Sequence, residues 1–130
     1  MKQSAKSRIL FVDDSDALRE TYAELLALRG YQVEVAADGQ EALENVRQGE
    51  PDLVIMDFQM PVMDGEEAIL ELRATGFSKP IIAFSARDVE EWMLKVGATA
   101  FLQKPIDPPA LFQAIDSQLS EPSLYKVSID

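Results

Sequence analysis

Four apolar runs in this chain end abruptly in polar or charged residues, and that pattern constrains the fold more than any other feature. Ile9-Leu10-Phe11-Val12 runs into Asp13-Asp14, and Leu53-Val54-Ile55-Met56 into Asp57. Ile81-Ile82-Ala83-Phe84 ends in Ser85, and Ala100-Phe101-Leu102-Gln103 in Lys104-Pro105. Amphipathic segments separate the runs, a β-then-α rhythm that predicts parallel strands joined by crossover helices. The runs at 9–12, 53–56 and 81–84 are continuously apolar, as strands covered on both faces are, and belong in the centre of the sheet. Tyr31-Gln32-Val33-Glu34-Val35 alternates and reads as an edge. Open α/β sheets bind ligands outside the carboxyl ends of their strands, so the four polar endings are expected to share one crevice.

Helix signals fall between the strands. Leu18, Tyr22, Leu25 and Leu26 recur at helical spacing before Gly30, which suits the left-handed position after a helix end. Asp38 with Glu41, Asp64 with Glu67 and Asp88 with Glu91 each set a capping residue three before a glutamate, and Asp107-Pro108 puts proline at a first helical position. The expected helices span 15–29, 39–48, 65–74, 89–96 and 108–119. The tail from Ser120 to Asp130 has no helical period and reads as a frayed terminus, with a docking strand or the start of a linker as the alternatives.

Composition removes several function classes. The 130 residues suffice for one domain with a substantial core. The formal charge of -11 repels phosphate backbones and anionic membranes, so neither nucleic acid nor a membrane surface is an expected partner. No cysteine is present, which excludes thiolate catalysis and Cys-ligated metals, and no histidine, which removes the commonest general base and any phosphohistidine within these residues. With no signal-like or membrane-spanning run, the expected compartment is the cytoplasm.

Asp13-Asp14 alone would read as a helix cap beside a solvated acid. Asp57 at the end of a second central strand changes that reading, because gathered carboxylates repel unless a cation sits among them. Oxygen ligands without His or Cys suit Mg²⁺, and a Mg²⁺ site is the expectation.

These endings, together with Met60-Pro61 and Asp64-Gly65, resemble the receiver domain of two-component response regulators from about Arg8 to about Leu119. The resemblance implies a CheY-like, flavodoxin-like (βα)5 three-layer α/β sandwich with strand order 2-1-3-4-5. The expected organisation is a flexible N-terminus over 1–7, a receiver domain over 8–119 and a C-terminal tail over 120–130. The resemblance assigns Asp14 as a direct Mg²⁺ ligand, Asp13 as a ligand through water, Asp57 as ligand and phosphoryl acceptor, and the Gln59 backbone carbonyl as a further ligand. Lys104 would meet the phosphoryl oxygens, Ser85 would donate its hydroxyl to one, and the Lys104-Pro105 bond would be cis. Phe101 matches a switch aromatic, against the alternative of a permanently buried core phenylalanine. Gln59 and Arg87 match positions that adjust phosphoaspartate lifetime.

The implied function is a phosphoryl-accepting module of a two-component phosphorelay, charged by a histidine kinase or histidine phosphotransfer protein and read by a downstream protein, without turnover of an external substrate. The alternatives are a phosphorylation-independent adaptor of the same fold and a Mg²⁺-dependent aspartyl-phosphate phosphohydrolase. The second is weakened by Gln59, which stands where such enzymes commonly carry an acid, and by a length that leaves no room for a cap.

The chain departs from the receiver pattern between Ser85 and Lys104, where it is shorter by about three residues, nearly one helical turn. The fourth helix is therefore expected to be short. Val89, Trp92, Met93 and Val96 form one face, read most simply as core, with partial exposure of Trp92 at a partner site as the alternative.

Overall fold

Every continuously apolar run forms a strand, because only a strand buried on both faces makes use of side chains pointing alternately to either side. The computed structural model describes residues 7–120. Its elements are β1 (Arg8–Val12), α1 (Asp16–Leu28), β2 (Gln32–Ala36), α2 (Gly39–Gln48), β3 (Leu53–Asp57), α3 (Gly65–Ala74), β4 (Ile81–Ser85), α4 (Glu90–Val96), β5 (Ala100–Gln103) and α5 (Pro108–Ser120). The strands form one parallel sheet in the order β2-β1-β3-β4-β5, as expected, with the alternating β2 at one edge. Residues 1–6 and 121–130, and with them most of the expected N-terminal segment and tail, lie outside the described residues.

The sheet separates two cores. Leu10, Val12, Val54, Met56, Ile81 and Ala83 meet α2, α3 and α4 on one face. Ile9, Phe11, Leu53, Ile55, Ile82 and Phe84 meet α1 and α5 on the other. Phe11 stacks between Tyr22 and Phe84, with ring centroids 5.3 and 5.7 Å away.

Local signals set most helix ends. The carboxylates of Asp38 and Asp64 accept from the Glu41 and Glu67 amides at 2.9 and 3.0 Å, as their spacing predicts. Gly30, at φ 98°, ends α1: its amide donates to Ala27 and the Tyr31 amide to Leu26, pairing two carbonyls the helix leaves open.

The fourth helix departs from expectation at its start. Asp88 does not cap it; Val89 holds the N-cap position without a side-chain hydrogen bond, and the helix begins at Glu90. Ser85 Oγ accepts from the Arg87 amide at 3.0 Å and the Val89 amide donates to the Arg87 carbonyl, so this tight turn carries the chain past Asp88 before the helix winds. The resulting α4 has seven residues, and Met93 alone among them is fully buried. Val89 and Val96 are half-buried, but Trp92 stays 52% exposed, which corrects its assignment to the core. Each fully buried large apolar side chain contributes about 1.5–3 kcal/mol, so α4 is held far more weakly than α3, which buries Ala68, Ile69 and Leu72.

Candidate functional site

Strand register assembles the site. Val12 pairs with Met56, so the next residues, Asp13 and Asp57, stand side by side. Asp57 pairs with Phe84 and Ser85 with Gln103, which places Ser85 and Lys104 one step beyond. Side chains alternate along a strand, so Asp13, Asp57 and Lys104 follow the α1/α5 face, whereas Ser85 follows the opposite face together with Phe101.

Asp13 is buried and performs two tasks. Its Oδ1 accepts from the Ser15 amide at 2.8 Å, holding the start of α1, where Ser15 Oγ in turn caps the Leu18 amide. Its Oδ2 is buried without a hydrogen bond and has Lys104 Nζ 3.4 Å away. Lys104 Nζ is also 3.4 Å from Asp57 Oδ1, and 5.1 Å above the Phe84 ring. Asp57 is only 3% exposed. Burial first, then repulsion from Asp13, pushes its carboxyl up to about 6, against the opposing pull of Lys104 and with a smaller upward push from Asp14.

One ammonium thus faces two buried carboxylates, and Asp14 adds a third, exposed one. Ligand oxygens of Asp13, Asp14 and Asp57 lie within 4.8 Å of one another. The unbonded Oδ2 of Asp13, the raised Asp57 carboxyl and the all-oxygen donor set fit a hard divalent cation. These residues could hold a metal.

The remaining expected residues surround this centre. Ser85 is buried, and because its Oγ accepts from the Arg87 amide, its O–H remains a donor. The Lys104-Pro105 peptide is cis, as expected. Gln59 and Arg87 are exposed, in the loops that follow β3 and β4. Phe101 is half-buried and packs against the core containing Met56, Ala83 and Met93. Beside Lys104 lies a largely apolar cleft of about 380 Å³ lined by Leu18, Tyr22, Ala86, Lys104, Pro105 and Ile106.

One contributor, Arg19, escaped the sequence reading, and a second, Gly65, was read only as part of the family pattern. Arg19 donates to the Asp13 carbonyl at 2.8 Å and pairs with Asp16, fixing the backbone beneath the acidic pair. The signal was its position one helical turn after Asp16. Gly65 lets α3 begin directly under β3: a Cβ there would stand 2.1 Å from the Asp57 carbonyl oxygen. Its signal was its place immediately after the capping Asp64.

A five-stranded parallel sheet of order 2-1-3-4-5, with an acidic crevice and a lysine at its carboxyl edge, defines a CheY-like receiver architecture. The family model described as the response regulator receiver domain matches residues 9–116, and the chain belongs to that family. It is 46% identical over 101 residues to the response regulator MprA of Mycolicibacterium vanbaalenii, a match covering 75% of this chain and 44% of that protein. The chain therefore spans less than half the length of the curated relatives it matches. Among solved structures it is similar to the chemotaxis protein CheY4 of Vibrio cholerae, with TM-score 0.82 and 34% identity over 88% of this chain and 99% of that one. It is likewise similar to the response regulator TrrA of Thermotoga maritima in complex with Mg²⁺-BeF, with TM-score 0.80 and 32% identity over 87% of this chain and 99% of that one. The chain is thus a receiver domain of two-component signalling, and among the described residues no helix is long and apolar enough to cross a membrane.

Proposed function

We propose that residues 8–119 form a working receiver, in which Asp57 accepts a phosphoryl group from a phosphohistidine of a histidine kinase or histidine phosphotransfer protein in the cytoplasm. The observation that carries this reading is the single ammonium of Lys104 set 3.4 Å from both Asp13 and Asp57 at the carboxyl edge of the sheet. These 130 residues contain no histidine, so the donor imidazole lies outside them. The apolar cleft beside Lys104 suits the apolar flank of a donor helix.

Asp13, Asp14, Asp57 and the Gln59 carbonyl would hold Mg²⁺, which, when bound, neutralises charge on the carboxylates and the phosphoryl oxygens. Asp57 supplies the nucleophilic oxygen. Its bond to phosphorus forms as the bond from phosphorus to the donor nitrogen breaks, and the electron pair leaves with the imidazole. Lys104 places a positive point charge where phosphoryl oxygens gather, and Ser85 offers its O–H from the adjoining strand end. The product carries roughly -1.5 to -2 added charge at Asp57. A shift of Ser85 toward it would open space on the face it shares with Phe101, giving a route from the phosphoryl group to a partner surface near α4.

Beryllium fluoride, which mimics a phosphoryl group on a carboxylate, tests the reading. With Mg²⁺ present it should raise the melting temperature of the chain and leave Asp57→Asn unchanged. No shift in the parent chain would favour a phosphorylation-independent adaptor.

A further inference from the structure

The loop between β3 and α3 is held in an unfavourable conformation. Val62 has φ 68°, although a β-branched side chain disfavours the left-handed region. The Met63 amide donates to the Pro61 carbonyl at 2.7 Å, closing a γ-turn around Val62. Such a conformation persists only where neighbouring structure over-determines it.

Two anchors do so. Toward the sheet, the Phe58 amide donates to Phe84 at 3.0 Å and the Gly65 amide to Phe58 at 2.8 Å. Toward α2, the Gly39 amide donates to the Met63 carbonyl at 3.0 Å. This approach depends on a bare Cα. A Cβ on Gly39 would stand 2.7 Å from the Met63 carbonyl oxygen and 2.9 Å from both Met63 Cγ and Ala68 Cβ. The side chain of Met63 can swing away, but its carbonyl moves only with the loop. Any retreat would be absorbed at Val62, which gains by leaving the left-handed region.

Only Gln59 to Val62 lie between the anchored residues Phe58 and Met63. We propose that Gly39, at the start of α2 and outside the acidic crevice, is a positioning residue for the metal site: it clamps the Met63 carbonyl, and with it the γ-turn and the segment carrying Gln59. This inference rests on the Mg²⁺ reading above. Binding linkage is reciprocal, so a clamp that favours the ion must itself be tightened by the ion.

The test is a nuclear magnetic resonance titration of the whole 130-residue chain with Mg²⁺. The variants are Gly39→Ala, Gly39→Ala with Val62→Gly, and Gly49→Ala. Gly49 ends the same helix with an extended φ of 175°, and its added Cβ would meet only the Arg8 guanidinium at ordinary distances. Gly39→Ala should weaken Mg²⁺ binding roughly tenfold. Val62→Gly should restore only part of that loss, since it removes the gain at residue 62 that favours retreat but not the Cβ clash, and Gly49→Ala should bind as the parent does. In the parent chain, Mg²⁺ should slow exchange of the Gly39 amide more than that of the Gly49 amide, a result that needs no variant to fold. Parent-like binding by Gly39→Ala, or a Gly39 amide indifferent to Mg²⁺, overturns the positioning role. A parent chain that binds no Mg²⁺ overturns the functional reading itself, and this role with it.

Discussion

The Lys104 amide donates to the Ser85 carbonyl at 2.8 Å, tying the two strand ends that carry the ammonium and the hydroxyl. Alternation then turns Lys104 toward Asp57 and Ser85 to the other face of the sheet. The two side chains thus lie on different faces of the sheet beside the Asp57 strand end, one an ammonium and the other a hydroxyl. Lys104→Met keeps the apolar stem over Phe84 but removes the charge, and should slow phosphoryl incorporation from acetyl phosphate roughly a hundredfold. Ser85→Ala should slow it less, since a neutral hydrogen bond is weaker than a charged one. Equal rates for Lys104→Met and the parent chain would contradict the assignment.

The Asp57 carboxyl links stability to pH. Its folded value of about 6 lies above the ordinary 3.8. Between those values the folded chain retains a proton that the unfolded chain has lost, so metal-free stability rises as pH falls through 6 toward 4 and declines as pH rises through 6. The full effect is on the order of 2–3 kcal/mol. Chemical denaturation without divalent ions should find Asp57→Asn more stable than the parent at pH 7, with the gap shrinking by pH 5. A gap independent of pH would show that the charge on Asp57 costs the fold nothing.

The fourth helix supplies a contrast between neighbours. Met93 is fully buried and Trp92 half exposed. Met93→Ala should cost about 2–5 kcal/mol in urea unfolding, whereas Trp92→Ala should cost less than about 1 kcal/mol. Comparable losses at both positions would mean that Trp92 is packed after all.

Those two residues also mark where the sequence was legible. Asp13, Asp57, Ser85 and Lys104 were readable because each ends an apolar run, and parallel register converts equivalent strand ends into spatial neighbours. Asp88 carries the same local signal as Asp38 and Asp64, yet the turn built on Ser85 and Arg87 overrides it. Trp92 shares a helical stripe with Met93, but a seven-residue helix cannot bury the whole stripe. The Gly39–Met63 clamp was invisible because it joins segments brought together only by the fold.

Gln59 and Arg87 are exposed, each two residues beyond a strand end of the site, Asp57 and Ser85. Replacing either with alanine should change the decay rate of the phosphorylated chain severalfold, a difference of about 1 kcal/mol in barrier height. Decay followed by loss of the phosphoryl mass gives the answer, and unchanged lifetimes in both variants would remove them from the mechanism.

The most direct test of the account is intact-mass spectrometry after incubation with acetyl phosphate and Mg²⁺, comparing the parent chain, Asp57→Asn and a metal-free control. One phosphoryl adduct is expected on the parent chain, dependent on Mg²⁺ and absent from Asp57→Asn. An adduct that survives in Asp57→Asn, or none from acetyl phosphate or a phosphorylated histidine donor, would contradict it.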